Sequence, residues 1–387
     1  MNDPLCDRPQ ADAGLRLAMV LPDMRRAGAE SVVATLCRSL VTLGVEVHLV
    51  VIAPRFEYQA VLADSGVHLH LLALIPQRAI PFYRQDVHWR IRRRLGHFFR
   101  TLKPDVAHFH LLHSLVWGGA AARAAGAQTL YTIHGQDAWL AANDWPSRWR
   151  RRLYTQAISR SECRLLAVSP SVAHHQAQWL HRDPQTIAIQ SNPLDLTTWH
   201  PALDDPPHPQ RVIMVGTLYP LKRVHIGLLA MHLLANHSPA ATLWVVGDGP
   251  ERSRLEQQAK QEELASRVFL LGVRTDIPDL FRTAGVAWLL SESEGMPMAA
   301  LEAMACGIPL VATDVFGTRD LVQHEVNGLL VPLDCPEAVA QATQRLWEDA
   351  PLRRRLVAGG LATARHFETT VITKQHLAHY QKALGRK

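Results

Sequence analysis

The sequence predicts an α/β protein made of two doubly wound domains, each built on a parallel sheet. Three observations carry this. The chain has 387 residues, more than one hydrophobic core usually organises. Short apolar runs alternate with helical patterns, the rhythm of βαβ units. That rhythm stops at a polar, proline-rich stretch, His200-Pro201-Ala202-Leu203-Asp204-Asp205-Pro206-Pro207-His208-Pro209, and then starts again.

In the first half the expected strands are 15–21, 45–53, 67–74, 106–111, 129–133, 165–168 and 186–189, with helical stretches between many of them. The proline-rich stretch reads as a linker, because proline removes a backbone donor and fixes φ. After it, strands are expected at 212–215, 242–246, 268–271, 286–290, 310–312 and 329–331, and the tail from Pro336 reads as mostly helical. The expected organisation is a first domain over 1–200, a second over 210–365, and a terminal helical segment over 366–387. Ligands of such sheets bind at the carboxyl ends of strands, where loops meet helix N-termini.

Composition narrows the class. Hydrophobic residues make up 48% and charged residues 20%, ordinary for a globular chain. No apolar run approaches the roughly 20 residues that cross a bilayer, and Met1-Asn2-Asp3-Pro4-Leu5 does not read as the start of a secretory leader. The five cysteines, Cys6, Cys37, Cys163, Cys306 and Cys335, are scattered and include no C-x-x-C pair, so neither a disulfide framework nor a zinc site is expected. A reducing cytoplasm fits. The net charge of +6 is uneven: residues 1–200 hold 22 Lys/Arg against 15 Asp/Glu, or +7, and the remainder 19 against 20, or −1. Arg90, Arg92, Arg93, Arg94, Arg100 and Lys103 cluster with Trp89, Phe98 and Phe99. Arg148, Arg150, Arg151 and Arg152 cluster with Trp145 and Trp149. Such basic-aromatic surfaces suit an anionic membrane leaflet, to which transient attachment is expected. A nucleic-acid partner is not expected.

The most informative stretch is Ser291-Glu292-Ser293-Glu294-Gly295-Met296-Pro297-Met298-Ala299-Ala300-Leu301-Glu302-Ala303-Met304-Ala305-Cys306-Gly307-Ile308-Pro309. Glu294 falls in a loop after an apolar strand, and Glu302 falls in a short helix opened near Pro297 and stopped by Gly307 and Pro309. Glu302 is then about five residues into the helix, roughly 7–8 Å along its axis. Free amides at the helix start favour an anion such as a diphosphate. Two carboxylates straddling that anion suit a ligand with hydroxyls on either side of it, as in a nucleotide sugar.

This stretch resembles the donor-site signature of the retaining glycosyltransferases of family 4, which have the GT-B architecture of two Rossmann-like domains facing across a cleft. Other motifs resemble the same family. Arg26-Ala27-Gly28-Ala29-Glu30 is similar to its Gly-Gly-Ala-Glu loop, with Ala27 for the first glycine. Asp105-Val106-Ala107-His108-Phe109-His110 and Tyr131-Thr132-Ile133-His134-Gly135 resemble strand-end motifs at the cleft. Ala167-Val168-Ser169-Pro170-Ser171 and Asn192-Pro193-Leu194-Asp195 match further signatures. Val215-Gly216-Thr217-Leu218-Tyr219-Pro220-Leu221-Lys222-Arg223 resembles Gly-Arg-Leu-x-x-x-Lys-Gly, with Thr217 for the arginine and Arg223 for the final glycine. Gly247-Asp248-Gly249, Leu271-Gly272-Val273-Arg274 and Ala312-Thr313-Asp314-Val315-Phe316-Gly317-Thr318 complete the match.

The resemblance implies transfer of a sugar from a nucleotide diphosphate sugar to an acceptor hydroxyl, with retention at the anomeric carbon. It gives Glu294, His134 and Lys222 catalytic roles. It gives Gly28, Gly216, Thr217, Lys222, Gly272, Val273, Gly295, Met296, Met298 and Glu302 to the donor, with Glu302 on the ribose and Gly272 and Val273 near the base. No cofactor or metal is implied beyond the donor substrate. A saccharide or lipid-linked acceptor, a role in bacterial surface polysaccharide or lipopolysaccharide, and a cytoplasmic enzyme peripheral on the inner membrane face are the expected setting. A non-catalytic sugar-binding or scaffold protein, or a nucleotide-sugar epimerase of the same fold, are the alternatives.

Overall fold

The computed structural model describes residues 14–25, 28–74, 85–135, 144–202 and 208–386. Arg26 and Ala27 of the glycine loop, residues 203–207 of the expected linker and Cys6 lie outside them. The chain forms two units. One holds Met1–Pro193 with Thr369–Lys387, the other Leu194–Glu368. The ends of the second unit meet, since the Leu194 amide donates to the Phe367 carbonyl at 2.7 Å.

The first unit runs β1 (Arg16–Leu21), α1 (Gly28–Thr42), β2 (Glu46–Val51), α2 (Gln59–Leu62), β3 (His68–Leu71), α3 (Gln85–Leu102), β4 (Val106–His110), α4 (Leu112–Ala124), β5 (Gln128–Ile133), α5 (Trp145–Ser161), β6 (Arg164–Ala167), α6 (Pro170–Leu180) and β7 (Ala188–Ile189). Its strands pair in parallel in the order β3-β2-β1-β4-β5-β6-β7. Local chemistry sets the helix ends. The Asp144 and Ser169 side chains accept from the third amide along, each with a proline in the first turn. Glu162 and His181 end those helices in the left-handed region, at φ 49° and 50°.

The second unit repeats the plan: β8 (His208–Val215), α7 (Val224–His237), β9 (Thr242–Val246), α8 (Arg252–Gln261), β10 (Val268–Gly272), α9 (Ile277–Arg282), β11 (Ala284–Leu289), α10 (Met298–Ala305), β12 (Leu310–Thr313), β13 (Leu329–Val331), α11 (Pro336–Glu348) and α12 (Ala350–Arg365). Its parallel order is β10-β9-β8-β11-β12-β13. Both sheets therefore reverse winding direction between their first and fourth strands, β1/β4 and β8/β11. A doubly wound sheet opens its ligand crevice at that point.

The linker reading fails at its end. Strand β8 starts at His208 rather than 212, because Pro209 is part of the strand and lies against β11. A Cβ at Gly285 of β11 would sit 1.8 Å from the Pro209 carbonyl oxygen. Proline is tolerated at a strand's beginning, where no ladder donor is needed. The other departure is at 186, where a short 3₁₀ turn, Pro184–Thr186, precedes a two-residue β7.

The last helix, α13 (Thr369–Ala383), packs in the first unit. Tyr380 and Ala383 join the core with Leu17, Met19 and Leu21 of β1 and Leu36, Cys37 and Leu40 of α1. Tyr380 is fully buried, and its hydroxyl meets His108 Nδ1 at 2.8 Å, while His108 Nε2 meets Thr132 Oγ1 at 2.7 Å. One histidine thus fastens the terminal helix to the centre of the sheet. Tyr380→Phe strips His108 of that partner in the core. It should lower unfolding stability by about 1–3 kcal/mol in urea titrations; an unchanged midpoint would contradict the assigned role of this hydrogen bond.

Candidate functional site

In the second unit Gly216, Thr217, Lys222, Glu294, Gly295 and Met296 lie on the loops after β8 and β11, against which the loop after β12 packs. The β8 loop begins with Gly216, whose amide donates to the Val246 carbonyl at 2.9 Å. Its neighbour is the Gly247-Asp248-Gly249 turn after β9. A Cβ at Gly247 would lie 1.9 Å from the Gly216 carbonyl oxygen, and one at Gly249 within 2.6–2.8 Å of Leu218 backbone. These glycines let two turns stack backbone on backbone. The same loop delivers Lys222 from a 3₁₀ turn, Pro220–Lys222, with its stem 3.6 Å from the Cβ position of Gly216.

Lys222 Nζ meets Glu294 Oε1 at 2.6 Å. The hydroxyl of Ser291 donates to the same oxygen, also at 2.6 Å. Backbone contacts fix the loops that carry the pair. The Glu292 amide donates to the Leu221 carbonyl at 2.8 Å, and the Glu294 amide to the Phe316 carbonyl at 3.0 Å. Gly317, at φ 76°, lies directly on the Glu294 peptide. A Cβ there would be 1.9 Å from the Glu294 carbonyl oxygen.

Arg223 does not join this group. It pairs with Glu292 at 2.9 Å and Asp334 at 3.5 Å. Its φ of 50° is in the left-handed region, which accounts for the glycine that the resembling motif has here. Thr217 is exposed on the same loop. Lys222 is thus the cation that the β8 loop brings to Glu294.

Glu302 is the fifth residue of α10, whose N-cap is Pro297. The Ala300 and Leu301 amides turn back to the Pro297 carbonyl, at 3.1 and 3.2 Å. Gly295 and Met296 are buried and Met298 is partly exposed. Glu302 keeps some accessible surface, yet lies deep enough that desolvation raises its carboxyl to about 7. Gly272 ends β10 at φ 68°, and Val273 after it is 61% exposed.

The first unit offers its own set at the matching switch point. Gly28 opens α1 after β1; a Cβ there would meet nothing within 4 Å, so packing inside the chain does not demand a glycine. Glu30, two residues on, is 3% exposed, and burial pushes its carboxyl up to about 7 although Arg25 lies 3.6 Å away. His110 ends β4 and His134 follows β5; His110 Nδ1 meets His134 Nε2 at 2.8 Å. Burial lowers His134 to about 4 and holds His110 well below the usual imidazole range. His108 has both ring nitrogens engaged within the core and so belongs to the fold.

Ser291 and Glu30 were given no role from sequence, although both lie inside the quoted motifs. The Ser-x-x-Glu spacing was the available sign for Ser291. Among the described residues, the one group spaced to hold a metal ion is Glu46, His48 and His68, with ligand atoms within 4.8 Å of one another. It lies on β2 and β3, away from these loops. Arg16 already occupies Glu46 Oε1 at 2.9 Å, and the His48 and His68 rings stack with centroids 4.7 Å apart.

The model for glycosyl transferases group 1 matches residues 196–361, and that for Glycosyltransferase Family 4 matches 26–198. The chain is a family 4, group 1 glycosyltransferase. This glycosyltransferase is 31% identical over 312 residues to a D-inositol 3-phosphate glycosyltransferase of Salinispora tropica, covering 72% of this chain and 65% of that protein's length. A protein of the same name from Frankia alni matches at 28% over 95% of this chain and 97% of its own. The UDP-Gal:alpha-D-GlcNAc-diphosphoundecaprenol alpha-1,3-galactosyltransferase of Escherichia coli matches at 28% over 65% of this chain and 68% of its own. Among solved structures, Anabaena HepE in complex with UDP and glucose superposes with a TM-score of 0.80 at 20% identity, covering 94% of this chain and 99% of that one. Sucrose-phosphate synthase from Thermosynechococcus elongatus gives 0.81 at 20%, covering 96% and 99%. These neighbours share the GT-B fold.

The raised carboxyl of Glu302 has a pH signature in this glycosyltransferase. Between its ordinary value of 4.5 and about 7, the unfolded chain releases the proton while the folded chain keeps it. Stability from this group therefore falls as pH rises through that window. Glu302→Gln removes the effect, so the variant's melting temperature should gain on the wild type steadily from pH 4.5 to 7 and hold level above. Parallel curves would show that the carboxyl is not desolvated.

Proposed function

We propose that the protein transfers a sugar from a nucleoside diphosphate sugar to an acceptor hydroxyl with retention at the anomeric carbon. The observation that carries this is Lys222 and Ser291 converging on one oxygen of Glu294 at the second sheet's switch point. Breaking the sugar–phosphate bond leaves an oxocarbenium-like centre and adds negative charge to the diphosphate. Lys222 and the amides at the start of α10 are the groups suited to that charge. Fixed donors of this kind contribute roughly 3–4 kcal/mol each to a transition state.

In the free protein Lys222 and Glu294 neutralise one another. An arriving diphosphate competes for the ammonium, and Glu294 with Gly295, Met296 and Met298 then accepts and orients the sugar. Glu302 takes the ribose hydroxyls, and Gly272 and Val273 the base edge. For His134 we keep the role the family resemblance implies, a contact with the transferred sugar. We favour same-face attack, in which the departing phosphate accepts the proton of the incoming hydroxyl. A stable sugar adduct trapped on Glu294 would replace this with a double displacement.

The Escherichia coli relative's name and the UDP bound in HepE support a nucleotide-sugar donor of the UDP class, and the relatives' names point to two acceptor chemistries, an inositol phosphate and a lipid-linked saccharide. Of these we favour the lipid-linked acceptor, within bacterial surface polysaccharide, because of the first unit's basic surface. On α3, Trp89 is 61% exposed with Arg93 stacked 5.6 Å from its ring centre. Arg90, Arg94, His97 and Arg100 line the adjoining groove. Two members of the sequence cluster do not contribute: Phe99 is in the core, and Arg92 Nε donates to the Val116 carbonyl at 3.3 Å. No described helix is long and apolar enough to cross a membrane, so we propose peripheral attachment on the cytoplasmic face.

Two experiments follow. After a thermal-shift panel of nucleotide sugars has identified the donor, Glu302→Ala should mainly raise the donor KM. Glu294→Ala should lower kcat about 10²–10³-fold, and NMR of the product should show the donor's anomeric configuration kept. Wild-type rates in both variants at saturating donor would refute the site. Separately, the protein should sediment with anionic liposomes, less so at high salt, and Arg90→Glu with Arg94→Glu should weaken this; equal binding to neutral vesicles would refute attachment through charge.

A further inference from the structure

Side chains on β1 and β4 of the first unit form a line that ends at His134, the residue after β5. Met19 lies on β1 and is fully buried, and His110 ends β4 at 1% exposure. Nε2 of His110 meets the Met19 sulfur at 3.1 Å, and Nδ1 of His110 meets Nε2 of His134 at 2.8 Å.

The sulfur decides where the protons lie. A thioether has no hydrogen to donate and accepts only weakly. A bare imidazole nitrogen at 3.1 Å would set lone pair against lone pair, so His110 carries its proton on Nε2. Burial keeps His110 neutral, with His108 and His134 close by adding to the penalty on a charge. A neutral ring has one proton, which leaves Nδ1 of His110 bare. Nε2 of His134 must then donate to it. His134 is neutral too, so its own Nδ1 is bare. Among the described residues that nitrogen has no hydrogen-bond partner.

We propose that Met19 and His110 are positioning residues that hold His134 as its Nε2–H tautomer, so that Nδ1 is presented as an acceptor for a hydroxyl of the transferred sugar. The tautomer assignment stands on the first unit alone; its use in transfer rests on the reading of His134 above. The neighbouring His108 shows the contrast. Its partners, Tyr380 and Thr132, are hydroxyls that donate or accept, so neither fixes its tautomer. Only the His110 line ends on a group that accepts and never donates.

Long-range ¹H–¹⁵N NMR on protein labelled at histidine nitrogens reads both tautomers directly, with resonances assigned by their loss in His110→Gln and His134→Gln. In the wild type, both rings should show a protonated Nε2 and a bare Nδ1. A protonated Nδ1 on His134 would overturn the proposal without any variant being needed. Met19→Leu keeps the volume and apolar character of the site but removes the acceptor. The His134 tautomer ratio should move toward Nδ1–H about threefold, the low end of what one net hydrogen bond commands, since the thioether accepts weakly. An unchanged ratio in folded Met19→Leu would equally overturn it. With the donor found by thermal shift, Met19→Leu should also lose kcat in proportion to the fraction of His134 that leaves the Nε2–H tautomer, with little change in KM, since a wrong tautomer disables an otherwise intact site. Full turnover with an altered tautomer would refute the positioning role. Failure of the donor-site reading would appear instead in Glu294→Ala and Glu302→Ala and would leave the NMR result untouched.

Discussion

The candidate site depends on how Glu294 is held. One of its carboxylate oxygens takes both the Lys222 ammonium and the Ser291 hydroxyl, its amide is bound by the Phe316 carbonyl, and its peptide is covered by Gly317. Loops from β8, β11 and β12 therefore meet on one residue. The side chains of Lys222 and Glu294 are 24% and 12% exposed. A pair this far withdrawn from water differs from a surface ion pair, whose contribution is commonly within about 1 kcal/mol. Removing either partner strands a charge in a poorly solvated place, which costs more than the pair itself contributes. Gly317 has no substitute in this arrangement: any side chain would put a carbon 1.9 Å from the Glu294 oxygen.

Most of the sheet architecture was legible because parallel strands covered on both faces read as unbroken apolar runs. Strands 242–246 and 329–331 were placed to the residue. What failed was punctuation. Pro209 resembled the prolines before it, and nothing local says that Gly285, 76 residues later, leaves room for its carbonyl. The site divides in the same way. Lys222 and Glu294 were found by motif, but their pairing spans 72 residues and has no periodic signature. The fate of Arg223 was likewise invisible. Its partners, Glu292 and Asp334, come from two other loops, and its left-handed backbone explains a glycine that sequence shows only as a missing match.

The histidines of the first unit show how position along a strand separates a core role from a place at the strand ends. His108 and His110 are two residues apart on β4, so they share a sheet face, and their rings lie 4.2 Å apart. The inner one is saturated by a threonine and a tyrosine of the core. The outer one shares its hydrogen bond with His134 at the strand ends. Sequence presented them as equals, each a histidine near a carboxyl terminus. The difference arises from α13, which brings Tyr380 to His108 from 272 residues away.

The free-state pairing of Lys222 with Glu294 also bears on how binding is coupled to chemistry. On the proposed reading, a donor that engages Lys222 must break an existing ion pair, so part of its binding energy is consumed in the exchange. That loss falls on the ground state. As negative charge grows on the leaving diphosphate, the ammonium's attraction to it rises, while what was given up with Glu294 does not. The contact therefore strengthens toward the transition state, the condition under which binding accelerates reaction instead of merely tightening the complex. Glu294, released by the same exchange, remains tethered through Ser291 and the Phe316 carbonyl. On the same proposed reading it would meet the sugar already oriented, at little further entropic cost.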